Sequence, residues 1–317
     1  MTRWAVLLMS FAGLAIAEPC STGTATCAEP LPMGKGFVTI YRSHPLAKGH
    51  AKAKRALVVI HGASRNADDY FPSGMAGAYL AGGLEDTVVV APRFAGTGGR
   101  NCDDKLAAGE IGFACAGDDW RGGGPGVGHA AVTTYDVIDE LIRRFSDKKK
   151  FPKLQHVVLM GHSAGGQFLS RYAAASKMEP AGVSVRYVVS NPSSYLYLDA
   201  SRPGPTAGCG GFNTWKYGME KRTGYAAGLA DELMQKNLVR RDVFYLLGEY
   251  DVTPQFGFDA SCGAMAQGPN RLQRGIDYFG YITGKYGAKH KLVKVPNCGH
   301  SGRCMLVANE ARETLFP

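Results

Sequence analysis

The sequence predicts an α/β fold built on a mostly parallel sheet covered by helices, and three observations carry that expectation. Short, β-branched apolar runs alternate along the chain with amphipathic segments, the pattern of parallel strands joined by crossover helices. Between one such run, His156-Val157-Val158-Leu159-Met160, and one amphipathic segment stands the pentapeptide Gly161-His162-Ser163-Ala164-Gly165. Two stretches rich in Gly and aromatics, 94–128 and 191–224, interrupt the alternation without periodicity, as long rim loops do.

At the amino terminus Arg3 is the one charge before an apolar run from Trp4 to Ile16, which ends in Ala15-Ile16-Ala17 ahead of Glu18-Pro19. The run is about 13 residues, short of the roughly 20 that span a bilayer, and closes on a small-x-small cleavage signal. Residues 1–17 are therefore expected to be a secretory signal peptide cut after Ala17, and Pro19 speaks against a lipid anchor at Cys20. No later stretch has the roughly 18 uninterrupted apolar residues of a spanning helix, so no membrane span is expected.

Seven strands follow, expected at 37–41, 56–60, 87–91, 156–160, 186–190, 243–247 and 291–295. Val132, Tyr135, Ile138, Leu141, Ile142 and Phe145 recur at three- and four-residue steps, so a helix covers the sheet there, with His129 at its start. Phe168, Leu169 and Tyr172 form a similar stripe after Ser163, and further helices are expected over 225–239, 270–286 and 304–315. Removal of 17 residues from 317 leaves 300, the size of one α/β domain covering 18–317.

All 8 cysteines fall after the leader, and an even count in an exported chain suggests disulfides. Chain proximity favours Cys20–Cys27, Cys102–Cys115 and Cys298–Cys304 and leaves Cys209 for Cys262, although sequence alone does not fix the connectivity. No C-x-x-C or histidine pair at metal spacing appears, so no metal site is expected. The 36 basic and 27 acidic residues give +9, or 35 − 27 = +8 once Arg3 is lost. The clusters Lys48, Lys52, Lys54, Arg55 and Lys148, Lys149, Lys150 lack interleaved aromatics, which argues against nucleic acid and for at most weak attraction to an anionic envelope or polymer. A monomer in the periplasm or outside the cell is the working expectation, with the oligomeric state unread.

Chemistry enters at Ser163. A serine on a strained strand-to-helix bend exposes its hydroxyl above the sheet, and flanking glycines let backbones pass closely. Serine needs a general base, and the base needs an orienting carboxylate; on a parallel sheet both come from loops at the carboxyl ends of later strands. Asp251 lies just beyond the 243–247 run and His300 just beyond the 291–295 run, which makes them the candidate carboxylate and base. Glu249 competes with Asp251, but Asp251 is nearer the Thr253-Pro254 turn. His162 is expected to point elsewhere on the elbow.

Acyl transfer also builds charge on a carbonyl oxygen, and each preorganised donor there contributes roughly 3–4 kcal/mol. The strand ending at Ile60 runs into His61-Gly62-Ala63-Ser64, so the backbone amides of Ala63 and Ala164 are the candidate oxyanion donors, with Ser64 as the alternative to Ala63 and His61 as a structural residue. From the two long loops, Trp120, Tyr195, Tyr197 and Trp215 are candidates for lining a substrate cleft, together with Phe212 and Tyr217.

With the His61-Gly62 loop, the Gly161–Gly165 elbow, Asp251 and His300 in that order, the chain resembles the α/β-hydrolase-fold serine esterases. Val59-Ile60-His61-Gly62-Ala63 with Asn66-Ala67-Asp68-Asp69-Tyr70, and Gly161 to Gly166 with Gln167, are similar to secreted bacterial esterases related to polyhydroxyalkanoate depolymerases and feruloyl esterases. The resemblance implies a small-molecule or polymeric ester as substrate, attack by Ser163, proton transfer through His300 steadied by Asp251, an acyl-enzyme intermediate and no cofactor. No stretch of the sequence is similar to the separate polymer-binding module or Thr-rich linker of the depolymerases, so neither is expected.

Overall fold

The computed structural model describes residues 18–99, 102–117, 119–254 and 257–317. The expected leader, 1–17, lies outside the described residues. Eight strands form the main sheet: β1 (Ala28–Met33), β2 (Gly36–Arg42), β3 (Arg55–Ile60), β4 (Thr87–Pro92), β9 (His156–His162), β10 (Ser184–Ser190), β11 (Asp242–Gly248) and β12 (Lys291–Val295). Their order is β1-β2-β4-β3-β9-β10-β11-β12, antiparallel at β1–β2 and β2–β4 and parallel from β4 to β12. Each of the seven expected strands is present to within two residues at either end.

The strand missed by sequence, β1, is written Ala-Glu-Pro-Leu-Pro-Met. Two prolines cannot donate to a ladder, and they are tolerated because β1 is the sheet's outer edge, paired on one side only. Four short strands, β5 (Gly96–Thr97), β6 (Phe113–Ala114), β7 (Pro125–Gly126) and β8 (His129–Thr133), make a second small sheet within and beside the 94–128 stretch. His129 therefore starts a strand, and the helix α2 (Thr134–Phe145) begins after it, capped by Thr133 and Asp136 in a reciprocal capping box.

Helices cover both faces. α2, α3 (Ala164–Ala175), α4 (Asp231–Arg240) and α6 (Arg271–Tyr286) pack over one face, where Tyr135, Phe168, Tyr172, Met234 and Tyr278 are buried. α1 (Ala67–Leu80), α7 (Gly302–Val307) and α8 (Arg312–Leu315) bury Phe71, Met305 and Leu315 against the other face; a short helix, α5 (Cys262–Met265), precedes α6. The expected helix at 225–239 splits into one 3₁₀ turn at Gly224–Ala226 and α4, and that at 304–315 breaks at Ala308 into α7 and α8. α1 went unread because Pro72, Gly74 and Gly77 interrupt it; a β-carbon on Gly77 would stand 2.5 Å from the Leu306 carbonyl oxygen, so the glycine is what lets α1 reach α7. The four disulfides join Cys20–Cys27, Cys102–Cys115, Cys209–Cys262 and Cys298–Cys304, the pairing that chain proximity favours. No helix of the described residues is long and apolar enough to cross a membrane.

Candidate active site

β9 ends at His162 and α3 begins at Ala164, leaving Ser163 alone on the bend at φ 57°, ψ −114°. A non-glycine residue held there carries about 1–3 kcal/mol of strain, which the surrounding packing must hold. Packing is tight enough to do so. A β-carbon on Gly161 would meet the Gly165 carbonyl oxygen at 2.1 Å, and one on Gly165 would meet that of Ile60 at 2.3 Å. Because both obstacles are backbone, Gly165→Ala should cost roughly 3 kcal/mol or more of stability. A melting curve against wild type checks this, and an unchanged midpoint would contradict the tight crossing.

Asp251 sits in the turn after β11, its amide bonded to the Gly248 carbonyl at 3.1 Å. His300 sits in the loop after β12, which the Cys298–Cys304 disulfide closes. The two loops are joined by Tyr250 N–H donating to the Cys298 carbonyl at 2.9 Å, so carboxylate and imidazole are positioned by one hydrogen-bonded unit. His300 Nδ1 lies 2.7 Å from Asp251 Oδ2, and His300 Nε2 lies 2.9 Å from Ser163 Oγ. An ionised carboxylate only accepts, so Nδ1 is assigned the proton and Nε2 turns its lone pair to the serine hydroxyl. Glu249 is exposed and makes no hydrogen bond to His300. Asp251 is fully buried, with Arg271 Nη1 3.5 Å from its other oxygen.

The loop after β3 is fastened from behind. Arg65, at φ 56°, donates to the carbonyls of Phe94 (3.2 Å), Phe113 (2.9 Å) and Ala114 (2.8 Å), tying the loop to the small sheet. His61 is fully buried; Phe94 N–H donates to its Nε2 at 3.1 Å, so its Nδ1–H faces the Gly62 carbonyl at 2.9 Å. Burial lowers the His61 pKa to about 4, so it stays neutral and structural. Ala63 and Ser64 are exposed and face a cavity of about 270 Å³ that also contains Ser163 and His300. The Ala164 amide opens α3, where no carbonyl one turn back is available to it. Neither it nor the Ala63 amide donates to another backbone group among the described residues.

The expected cleft is redrawn. Tyr195 and Tyr197 are wholly buried beneath α6, their rings 4.6 and 5.1 Å from Tyr278, because the chain leaving β10 runs inward before it reaches the surface. Trp120 is buried too, packed against His61 at 5.0 Å and under the Arg65 guanidinium at 5.3 Å, and so supports the Ala63 loop rather than facing solvent. Trp215 borders a separate cavity of about 520 Å³ with Gly122, Lys216 and Lys221. Tyr217 is buried with its hydroxyl 2.6 Å from Asp259, while Phe212 is half-buried under Arg202; neither borders the Ser163 cavity.

The walls around Ser163 come instead from α1 and α7. Asn66, Tyr70 and Gly302 border the Ser163 cavity and continue into an adjoining one of about 380 Å³, where Asp69, Ser73 and Arg303 join them. The sequence gives no sign that these residues wall the cavity, because the helix that follows Asn66 went unread. His162 does not turn clear of the site: its ring lies tilted against that of His300 at 4.7 Å and its Nδ1 pairs with the Tyr70 hydroxyl at 2.8 Å. Burial, then the neighbouring charges of His300 and Arg271, hold its pKa well below the usual range and keep it neutral. Among the described residues no group of three His, Cys, Asp or Glu side chains is placed to hold a metal ion.

Two solved structures share this architecture. The poly(aspartic acid) hydrolase-1 of Sphingomonas sp. KT-1 superposes with a TM-score of 0.62 at 20% identity, over 92% of this chain and 98% of its own. The poly(3-hydroxybutyrate) depolymerase LpqC of Bordetella parapertussis gives 0.60 at 20% identity, over 87% of this chain and 83% of its own. No family model matches the sequence, and no curated protein matches it either. The fold is that of the α/β-hydrolases.

Proposed function

We propose that this α/β-hydrolase-fold chain is an exported serine hydrolase that cleaves carboxylic esters through Ser163, His300 and Asp251. The observation that carries the reading is the unbroken relay Asp251 Oδ2, His300 Nδ1, His300 Nε2, Ser163 Oγ, with spacings of 2.7 and 2.9 Å. Ser163 Oγ attacks the ester carbonyl while His300 Nε2 takes its proton, and Asp251 stabilises the imidazolium that results. The carbonyl oxygen becomes an oxyanion facing the amides of Ala63 and Ala164. His300 then protonates the departing alkoxide, leaving an acyl-serine, and a water deprotonated by His300 releases the acid. Four disulfides and the leader-like 1–17 segment support export.

The walls also bear on the substrate. Apart from Ala63, the side chains lining the two joined cavities are polar, aromatic or charged: Ser64, Asn66, Asp69, Tyr70, Ser73 and Arg303. An apolar acyl slot would return about 0.8 kcal/mol per buried methylene, close to fourfold in kcat/KM for each carbon. Among the described residues no such slot opens on Ser163. Across p-nitrophenyl acetate, butyrate, hexanoate and octanoate, kcat/KM should therefore stay flat or fall with chain length. A several-fold rise per methylene would overturn the polar reading, and no turnover of any ester would overturn the hydrolase reading. A second reading, cleavage of an anionic polymer, draws on the net charge of +9 and on the named activity of the Sphingomonas protein; release of new amino groups from poly(aspartate) would favour it.

A further inference from the structure

We propose that Arg271 is a positioning residue for the relay, a buried cation that fixes Asp251 from behind. The inference rests on the serine-hydrolase reading above. Arg271 is the first residue of α6, where the helix end is already partly positive and a cation is disfavoured. Its side chain, like that of Asp251, has no solvent exposure. It is held by Nε donating to Ser193 Oγ at 2.9 Å and by its guanidinium lying 5.2 Å over the Phe258 ring, while Nη2 is buried with no acceptor among the described residues. A hydrophobic side chain of similar volume would often fill such a place at no loss of stability. Two local costs accepted at one residue point to a use for the charge. What the charge faces is the carboxylate oxygen that His300 leaves free, at 3.5 Å. The α6 backbone approaches the same turn, with Leu272 N–H donating to the Asp251 carbonyl at 3.2 Å.

A guanidinium does not titrate in proteins, so Asp251 lies between a permanent cation and an imidazole that becomes one. Arg271 thus holds Oδ1 and keeps Oδ2 turned to His300. Among the described residues, the other groups in contact with His300 are Ser163, Asp251 and the neutral His162 ring, the last tied to Tyr70. Arg274, one turn further along α6, lies over Phe258 as well but spends its donors on the carbonyls of Gly268, Ser193 and Asp259.

The test compares wild type, Arg271→Met, Arg271→Lys and Ser163→Ala on p-nitrophenyl acetate from acid to neutral pH, with melting curves to confirm folding. In Arg271→Met, kcat should fall about 10- to 100-fold with KM within about twofold, since Arg271 does not border the substrate cavity. The acid limb of kcat/KM should move upward by about one pH unit, because a positive charge bordering the relay has been removed. Arg271→Lys should return the limb toward its wild-type position. If Arg271→Met does not fold, Arg271→Gln, which is neutral but can still donate to Asp251, carries the same expectation. A folded neutral variant whose acid limb stays in place overturns the proposal, whatever its rate. If Ser163→Ala keeps wild-type turnover, it is the serine-hydrolase reading that has failed.

Discussion

Ser163→Ala should lower kcat on p-nitrophenyl acetate by about 10⁵- to 10⁶-fold and abolish covalent labelling by a fluorophosphonate. The size follows from the relay. His300 Nε2 accepts from the Ser163 hydroxyl at 2.9 Å, and the alanine variant leaves the base with no nucleophile to deprotonate. A residual acceleration over water remains, because the Ala63 and Ala164 amides and the polar walls still hold the ester in place. Stability should change by about 1 kcal/mol or less. The lost contact is a single hydrogen bond at a site that stays polar, and alanine inherits the same φ of 57° that serine endures. Intact-mass spectrometry after labelling, paired with a melting curve, separates a dead nucleophile from a collapsed elbow. Full turnover in the folded variant would remove Ser163 from the chemistry.

That Ser163, Asp251 and His300 were legible in sequence has a physical basis. Each sits just beyond a short β-branched run, and in a parallel sheet every such run ends at the same edge, so order along the chain becomes proximity in space. The Ala63 loop was legible for the same reason, following β3 next to β9. The walls were not. Asn66 is the N-cap of α1, Asp69 and Tyr70 ride on it, and its Pro72, Gly74 and Gly77 erase helical propensity; only the packed structure shows those glycines admitting Val59, Val89 and the Leu306 carbonyl. Aromatics in the long loops misled in the opposite sense. Tyr195 and Tyr197 looked available because their segment has no periodicity, yet irregular chain can be core when side chains such as Gln267 meet its backbone groups; Tyr195 N–H donates to the Gln267 amide oxygen at 2.7 Å. Arg271 left one sequence signal, a cation opening a helix after the cap Asn270, which becomes informative only once Asp251 is seen opposite it.

Asp251→Asn should lower kcat by about 10⁴-fold while leaving KM nearly unchanged. The carboxylate accepts from His300 Nδ1 at 2.7 Å, and this is what holds the Nε2 lone pair toward Ser163. An asparagine amide can instead present its NH₂ to Nδ1. The imidazole then takes the other tautomer, Nε2–H points at the hydroxyl, and the base becomes a donor. Charge adds to the loss, since the imidazolium formed during attack would keep Arg271 near it and no anion between them. The amide fits the same space, and Arg271 can still donate to its carbonyl oxygen, so the melting point should fall only modestly. Glu249→Gln supplies the contrast: Glu249 is exposed and outside the relay, and its loss should change kcat by less than about twofold. A large effect at Glu249 with none at Asp251 would reverse the assignment of the carboxylate. The expected pattern would tie the rate to the one buried anion between Arg271 and His300.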